Sequence, residues 1–206
     1  MNPERPTGLP PAGGMSVPLG VWLLARGRGV GINCFGPGVQ PLMGALAPTI
    51  AMAIIAVGLT FQTSKVGWGM GLVRALVPLT STLLQLVVTH ICARRIKREG
   101  LWLRYSTASL WCAWLPIILV FLLEGFLTAT VPAEHLNSSL TIGMMVVVQF
   151  YSLWLSWYVS KVGLLVTSLQ AAMVVVAQVA ALAVLLGVLY LLPPHYNAML
   201  DMISVS

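Results

Sequence analysis

The stretch ICARRIKREGLWLRYSTASLWCAW, residues 91–114, places Arg94, Arg95, Lys97 and Arg98 between two long apolar runs, with Arg104 just before the second. Cations beside a membrane-length segment are retained on the cytoplasmic face. One turn of the chain is thereby tied to one side of a bilayer, and the orientation of every other segment follows from it.

Composition supports lipid as the solvent. Of 206 residues, 58% are hydrophobic and only 8% charged, whereas soluble domains carry about 25% charged residues. The length allows one domain. The net charge of +6 comes from residues that flank apolar runs rather than from a continuous patch on a polar domain. The expected partner is therefore an anionic headgroup layer, not nucleic acid. Cys34, Cys92 and Cys112 have no metal-type spacing and no CxxC. They read as free thiols packing as small apolar residues, with Cys92 and Cys112 near the cytoplasmic ends of neighbouring helices.

Residues 1–15 are rich in Pro and Gly and have little to bury, which predicts a disordered tail. The apolar run 17–25 has its basic residues after it and no small-residue cleavage site, unlike a cleavable signal. Residues 16–40 are expected to form a short interfacial helix, opened by Ser16 and Pro18 and closed by Arg26 and Arg28, and then a flexible Gly-rich turn at 29–38.

Residues 41–192 contain five runs of the roughly 20 apolar residues needed to cross a hydrocarbon core, at about 41–62, 72–93, 105–127, 140–160 and 166–191. The fold class is an all-α integral membrane protein with five transmembrane helices, and residues 193–206 form a short non-cytoplasmic tail. Nine Lys and Arg fall on one side of this arrangement and two, Lys65 and Arg74, on the other. That bias places the amino terminus in the cytoplasm. Arg26, Arg28, Arg94, Arg95, Lys97, Arg98, Arg104 and Lys161 are the expected headgroup contacts. Gly44, Ala47 and Ala51 form a small-residue face on the first span, suited to close helix packing. Tyr151, Trp154 and Tyr158 form an aromatic face on the fourth. Both faces are candidates for partner membrane proteins or a second copy of the chain. Trp114 lies too deep for a headgroup and is expected to pack between helices.

No Ser-His-Asp, Cys-His or paired-carboxylate arrangement can be drawn, and a metal or haem lacks ligands, because His90 is the only histidine within a span. The expectation is therefore neither enzyme nor cofactor. Arg74 and Glu124 are candidates for an ion pair near the outer leaflet. Gln85, Gln149, Gln170 and Gln178 are amides at membrane depth. They are either bonded between helices or, for Gln85, Gln149 and Gln178, lining a polar path. Pro78 and Pro116 would then be hinges, with Thr80, Ser81 and Thr82 able to satisfy carbonyls freed by Pro78.

The Gly-rich turn, the five spans and the string WLRYSTASLWCAW, residues 102–114, resemble the Yip-type (Ypt-interacting-protein) family, including its bacterial relatives, over residues 20–192. The resemblance implies a non-enzymatic protein that organises membranes or partner proteins. The acidic amino-terminal segment of eukaryotic members is missing, since the tail carries Glu4 alone, so partner binding of that kind does not transfer. The first functional expectation is a scaffold or accessory subunit in a bacterial cytoplasmic membrane, with a eukaryotic endomembrane as the alternative address. The second is a small transporter or channel component with a glutamine-lined path.

Overall fold

The computed structural model describes residues 16–62, 68–130 and 138–191. The expected tail at 1–15, the polar turn at 131–137 and the closing tail at 193–206 lie outside them. The described residues form α1 (Ser16–Ala25), a 3₁₀ helix (Gly29–Cys34), α2 (Val39–Gln62), α3 (Trp68–Arg95), α4 (Glu99–Cys112), α5 (Trp114–Thr130), α6 (Ser138–Gly163) and α7 (Ser168–Leu191). Five segments are long and apolar enough to cross a membrane: α2, α3, α4 with α5, α6 and α7. At most 22% of the most apolar window of any span is buried inside the chain. Side chains such as Ile54, Phe121, Phe150 and Val184 point outward. Such a surface is stable only in lipid.

Hydrocarbon tails are as apolar as leucine, so burial contributes little to helix association there, and close packing with interhelical hydrogen bonds takes over. The core shows this. Tyr105, Ala108 and Cys112 of α4 pack with Leu155 and Val159 of α6 and with Ala171 and Val174 of α7. Gly163 sits against Tyr105, where an added Cβ would lie 2.9 Å from the ring Cδ2 and 3.1 Å from the Tyr105 Cβ. A second cluster joins Leu42, Ala45 and Leu46 of α2 to Leu110 of α4. The α4 helix is thus the hub, touching α2, α3, α5, α6 and α1.

The turns are tighter than expected. Arg94 and Arg95 belong to the last turn of α3, and α4 begins at Glu99. The basic connection is only residues 96–98, closed by Arg98 N–H bonding Ala93 O at 2.8 Å and Lys97 N–H bonding Arg94 O at 3.0 Å. This is the paired-bond helix stop that requires a left-handed residue, here Lys97 at φ 58. The same stop closes α1, with Gly27 at φ 71, Arg28 N–H bonding Leu23 O and Gly27 N–H bonding Leu24 O.

The third span is longer than the expected 105–127 and is interrupted. Glu99–Ala129 covers 31 residues, about 46 Å at 1.5 Å per residue, against about 30 Å of hydrocarbon. The interruption is slight: Ala113 separates α4 from α5, yet it keeps helical φ −63 and ψ −22 and its N–H bonds Ser109 O at 2.9 Å. Pro116 has no N–H, so the carbonyl of Cys112 loses its helical donor. Pro78 does not interrupt α3, and Pro48 does not interrupt α2. Ser81 and Thr82 hydroxyls donate to the carbonyl of Pro78 itself, at 2.9 and 2.8 Å.

The Gly-rich turn is not flexible punctuation. It contains the 3₁₀ helix, with Gly31, Ile32 and Cys34 buried. The reason is close approach: a Cβ on Gly31 would lie 2.7 Å from the carbonyl oxygen of Gly20, and one on Gly20 would lie 2.8 Å from the Cys34 Cβ. The glycines thus lock this segment against α1, and Leu24 and Phe35 join the main core.

Candidate functional site: a polar cavity at the break in the third span

Gln85 of α3, Gln149 of α6 and Gln178 of α7 come together on one cavity of about 210 Å³. Ser109 and Cys112 of α4, Pro116 of α5 and Ser152 and Ser156 of α6 complete its polar and hinge-bearing wall. None of the lining residues is charged. Cys112 is therefore not near the start of the third span, beside the basic turn, as expected; it is the last residue of α4. Because the helix starts at Glu99, Cys112 lies 13 residues in, about 20 Å along it.

One wall is a continuous hydrogen-bonded chain. Ser156 Oγ donates to Gln178 Oε1 at 3.4 Å, and Gln178 Nε2 donates to the Tyr105 hydroxyl at 3.3 Å. The Tyr105 hydroxyl lies 3.1 Å from Ser160 Oγ; since it accepts from Gln178, its proton is free to point to Ser160. Tyr105 and Ser160 are fully buried. This chain ties α4, α6 and α7 together and holds the Gln178 amide in place, while Gln149 is exposed and Gln85 half-buried. Gln178 is thus both an interhelical bond and a cavity wall.

Gln170 has a different role from the other amides. Thr167 N–H bonds Gln170 Oε1 at 3.1 Å, and Gln170 N–H bonds Thr167 Oγ1 at 3.3 Å. This is a reciprocal capping box at the start of α7. The spacing Thr-Ser-Leu-Gln at 167–170 carries the signature, and reading α7 from residue 166 concealed it.

The aromatic face of α6 is partly covered by the end of α1, while Trp154 remains exposed. Tyr151, Trp154 and Tyr158 stack, with ring centroids 5.8 and 5.5 Å apart. Tyr151 donates to Ala25 O at 3.1 Å, and Tyr158 donates to Gly27 O. The rings hold the end of α1 by satisfying carbonyls that a helix terminus leaves open. Gly44, Ala47 and Ala51, by contrast, face outward, and an added Cβ on Gly44 would meet nothing within 4 Å.

Of the expected headgroup cations, Arg26, Arg28, Arg94, Arg95, Lys97 and Arg98 are exposed. Arg94 pairs with Glu99 at 3.2 Å. Two exposed partners of this kind add little stability. The Lys161 ammonium lies 5.3 Å from the Trp157 ring, and Trp157 Nε1 donates to Ser168 O at 3.0 Å across the α6–α7 turn. Arg104 is half-buried. Arg74 and Glu124 are exposed on α3 and α5. His90 meets the Trp102 ring edge-on at 4.7 Å, and Trp102 Nε1 donates to Thr89 Oγ1 at 3.3 Å. Trp114, the first residue of α5, is half-buried and lines a groove shared with α1 and α2. Among the described residues, no three His, Cys, Asp or Glu side chains gather as metal ligands.

Compared with known protein families, with characterised proteins and with solved structures, the chain matches none. The Yip-type likeness therefore assigns no role to any residue of the cavity.

Proposed function

We propose that this multi-pass membrane protein is a non-catalytic small transporter or channel component that binds a small uncharged polar solute in the cavity at the third-span break. The observation that carries the reading is the convergence of Gln85, Gln149 and Gln178 on one cavity with Ser109, Ser152 and Ser156. Isolated amides in lipid find interhelical partners. Amides from three helices around a shared void leave donors and acceptors for a guest. With no charge in the wall, an ionic solute would lose its hydration without compensation, which selects a neutral guest rich in hydroxyl or amide groups. Polar groups beside a helix whose Cys112 carbonyl is freed by Pro116 also fit the way transporters place sites within their spans. Pro116 is the hinge, and the amino terminus lies in the cytoplasm, on the side of the basic turn. The address is a bacterial cytoplasmic membrane, with a eukaryotic endomembrane as the alternative.

The test is flux of neutral solutes, from urea and glycerol to small amides, into vesicles reconstituted with the full chain. Wild type is expected to pass at least one solute faster than Gln149→Leu and Gln178→Leu. Equal permeability of wild-type, variant and protein-free vesicles to the whole series would refute the reading.

A second reading is supported by the outward Gly44, Ala47 and Ala51, which no helix of the same chain covers. A second copy or a partner helix seated there would make the protein a scaffold or accessory subunit, the role implied by the Yip-type likeness.

A further inference from the structure

The geometry points to a binding site for one anionic phospholipid in the groove between α1, α2 and the third span, with an acyl chain in the groove and the phosphate held by Arg26 and Arg104. The inference is independent of the solute reading, because the groove shares no lining residue with the polar cavity.

The groove encloses about 400 Å³, and Val21, Trp22, Pro48, Trp111, Trp114 and Ile118 are among its walls. Every lining residue is apolar except for the ring N–H groups of its tryptophans. A polar solute has nothing to bond there, whereas an acyl chain loses nothing by entering. The occupant's charge follows from what stands at one end. The Arg26 guanidinium lies 4.2 Å from the centroid of the Trp22 ring, itself a wall of the groove. Arg104 precedes Trp111 by seven residues, two helical turns and about 10 Å along the same face of α4.

The two cations lie at the same end of the bundle. Gly29, just after Arg28, approaches Val162 of α6, and the next residue, Gly163, approaches Tyr105. The Nε of Arg104 is buried with no hydrogen-bond partner. A guanidinium N–H withdrawn from water without an acceptor is costly, and a phosphate oxygen is the acceptor its planar fork fits best. An apolar slot with one arginine stacked on its wall and, two helical turns beyond Trp111, another whose buried Nε lacks an acceptor matches a lipid whose headgroup carries one net negative charge.

The experiment uses the full chain in phosphatidylcholine vesicles, titrated with phosphatidylglycerol or phosphatidylcholine carrying dibrominated acyl chains, which quench tryptophan on contact. The readout is the quenching lost on Trp111→Phe and Trp114→Phe, which isolates the groove. Wild type should favour the brominated phosphatidylglycerol, and Arg26→Gln and Arg104→Gln should each reduce that preference about fivefold. Arg104→Lys should restore part of it. Arg26 is exposed, so Arg26→Gln tests the site without disturbing the bundle. Equal quenching by the two lipids in wild type would overturn the proposal, as would a preference unchanged by Arg26→Gln. So would glycerol phosphate abolishing the preference with no groove quenching at all, the mark of a headgroup-only site.

Discussion

Replacing Gly163 with alanine tests the α4–α6 contact that supports the cavity. An alanine Cβ there would stand 2.9 Å from Tyr105 Cδ2, 3.1 Å from Tyr105 Cβ and 3.4 Å from its Cα. The ring has little freedom to move away, because its hydroxyl is bonded to Ser160 and Gln178, and its Cα belongs to the backbone. Overpacking of this kind costs about 1–3 kcal/mol. Alanine's helix preference returns up to about 1 kcal/mol in a helix interior and less here, since Gly163 ends α6. The expected net loss is about 1–2 kcal/mol. Gly125→Ala is the matched control, since its Cβ meets nothing within 4 Å, and it should be neutral or gain up to about 1 kcal/mol. Denaturant titration in mixed micelles, followed by far-ultraviolet circular dichroism, measures both. A Tyr105→Phe background frees the ring but leaves the Cβ and Cα, so it should relieve only part of the cost. If Gly163→Ala proves as stable as Gly125→Ala, close approach of α4 and α6 does not hold the bundle together, and the fixed position of Gln178 loses its support.

Lys97 adopts φ 58 without being glycine, a conformation that costs an L-residue about 1–2 kcal/mol. Lys97→Gly should stabilise the same unfolding transition by up to about 1 kcal/mol once glycine's greater unfolded freedom is deducted. For topology, single cysteines at Gly100 and Gly69, in a chain freed of Cys34, Cys92 and Cys112, should react with a membrane-impermeant maleimide from opposite sides. Gly69→Cys should label in intact cells and Gly100→Cys only after permeabilisation, and the reverse pattern would overturn the assignment of faces.

The spans were legible because their composition leaves no choice of solvent, and their number follows from length against bilayer thickness. What sequence periodicity could not supply was the identity of each face's neighbour. The stripe Gly44, Ala47, Ala51 faces outward, and α3 and α4 pack elsewhere on α2, through Ala45 and Leu46 among others. Of the rings of Tyr151, Trp154 and Tyr158, the two tyrosines bond the end of the chain's own α1, contacts spanning more than 120 residues of sequence, while Trp154 stays exposed. The two prolines named as hinges behave differently for a local reason. Pro116 lies in the first turn of α5, which starts at Trp114 just after Ala113, where a missing N–H costs no bond within α5 and frees the Cys112 carbonyl, whereas Pro78 lies within a helix that continues for many residues on both sides.

Polar residues were the more informative ones in this chain. In water, the apolar pattern tells which face is buried; in lipid, every face tolerates apolar side chains, so that pattern identifies spans and says little about packing. A glutamine or serine, however, must find a partner at membrane depth or lose several kcal/mol. Its position therefore constrains which helices meet. Gln178 does this twice, tying α7 to Tyr105 of α4 and Ser156 of α6, and it is the residue through which the polar cavity and the packed core are joined. The misreading of Gln170 has the same origin. Its partner was only three residues away, at Thr167, and an amide satisfied at a helix start carries no information about neighbouring helices. The useful distinction in such a chain is thus between polar side chains that a terminus within one turn can satisfy and those that it cannot. By that criterion Gln85, Gln149 and Gln178, each ten or more residues from either end of its helix, are the informative ones: all three line the polar cavity, and Gln178 is buried in the bundle.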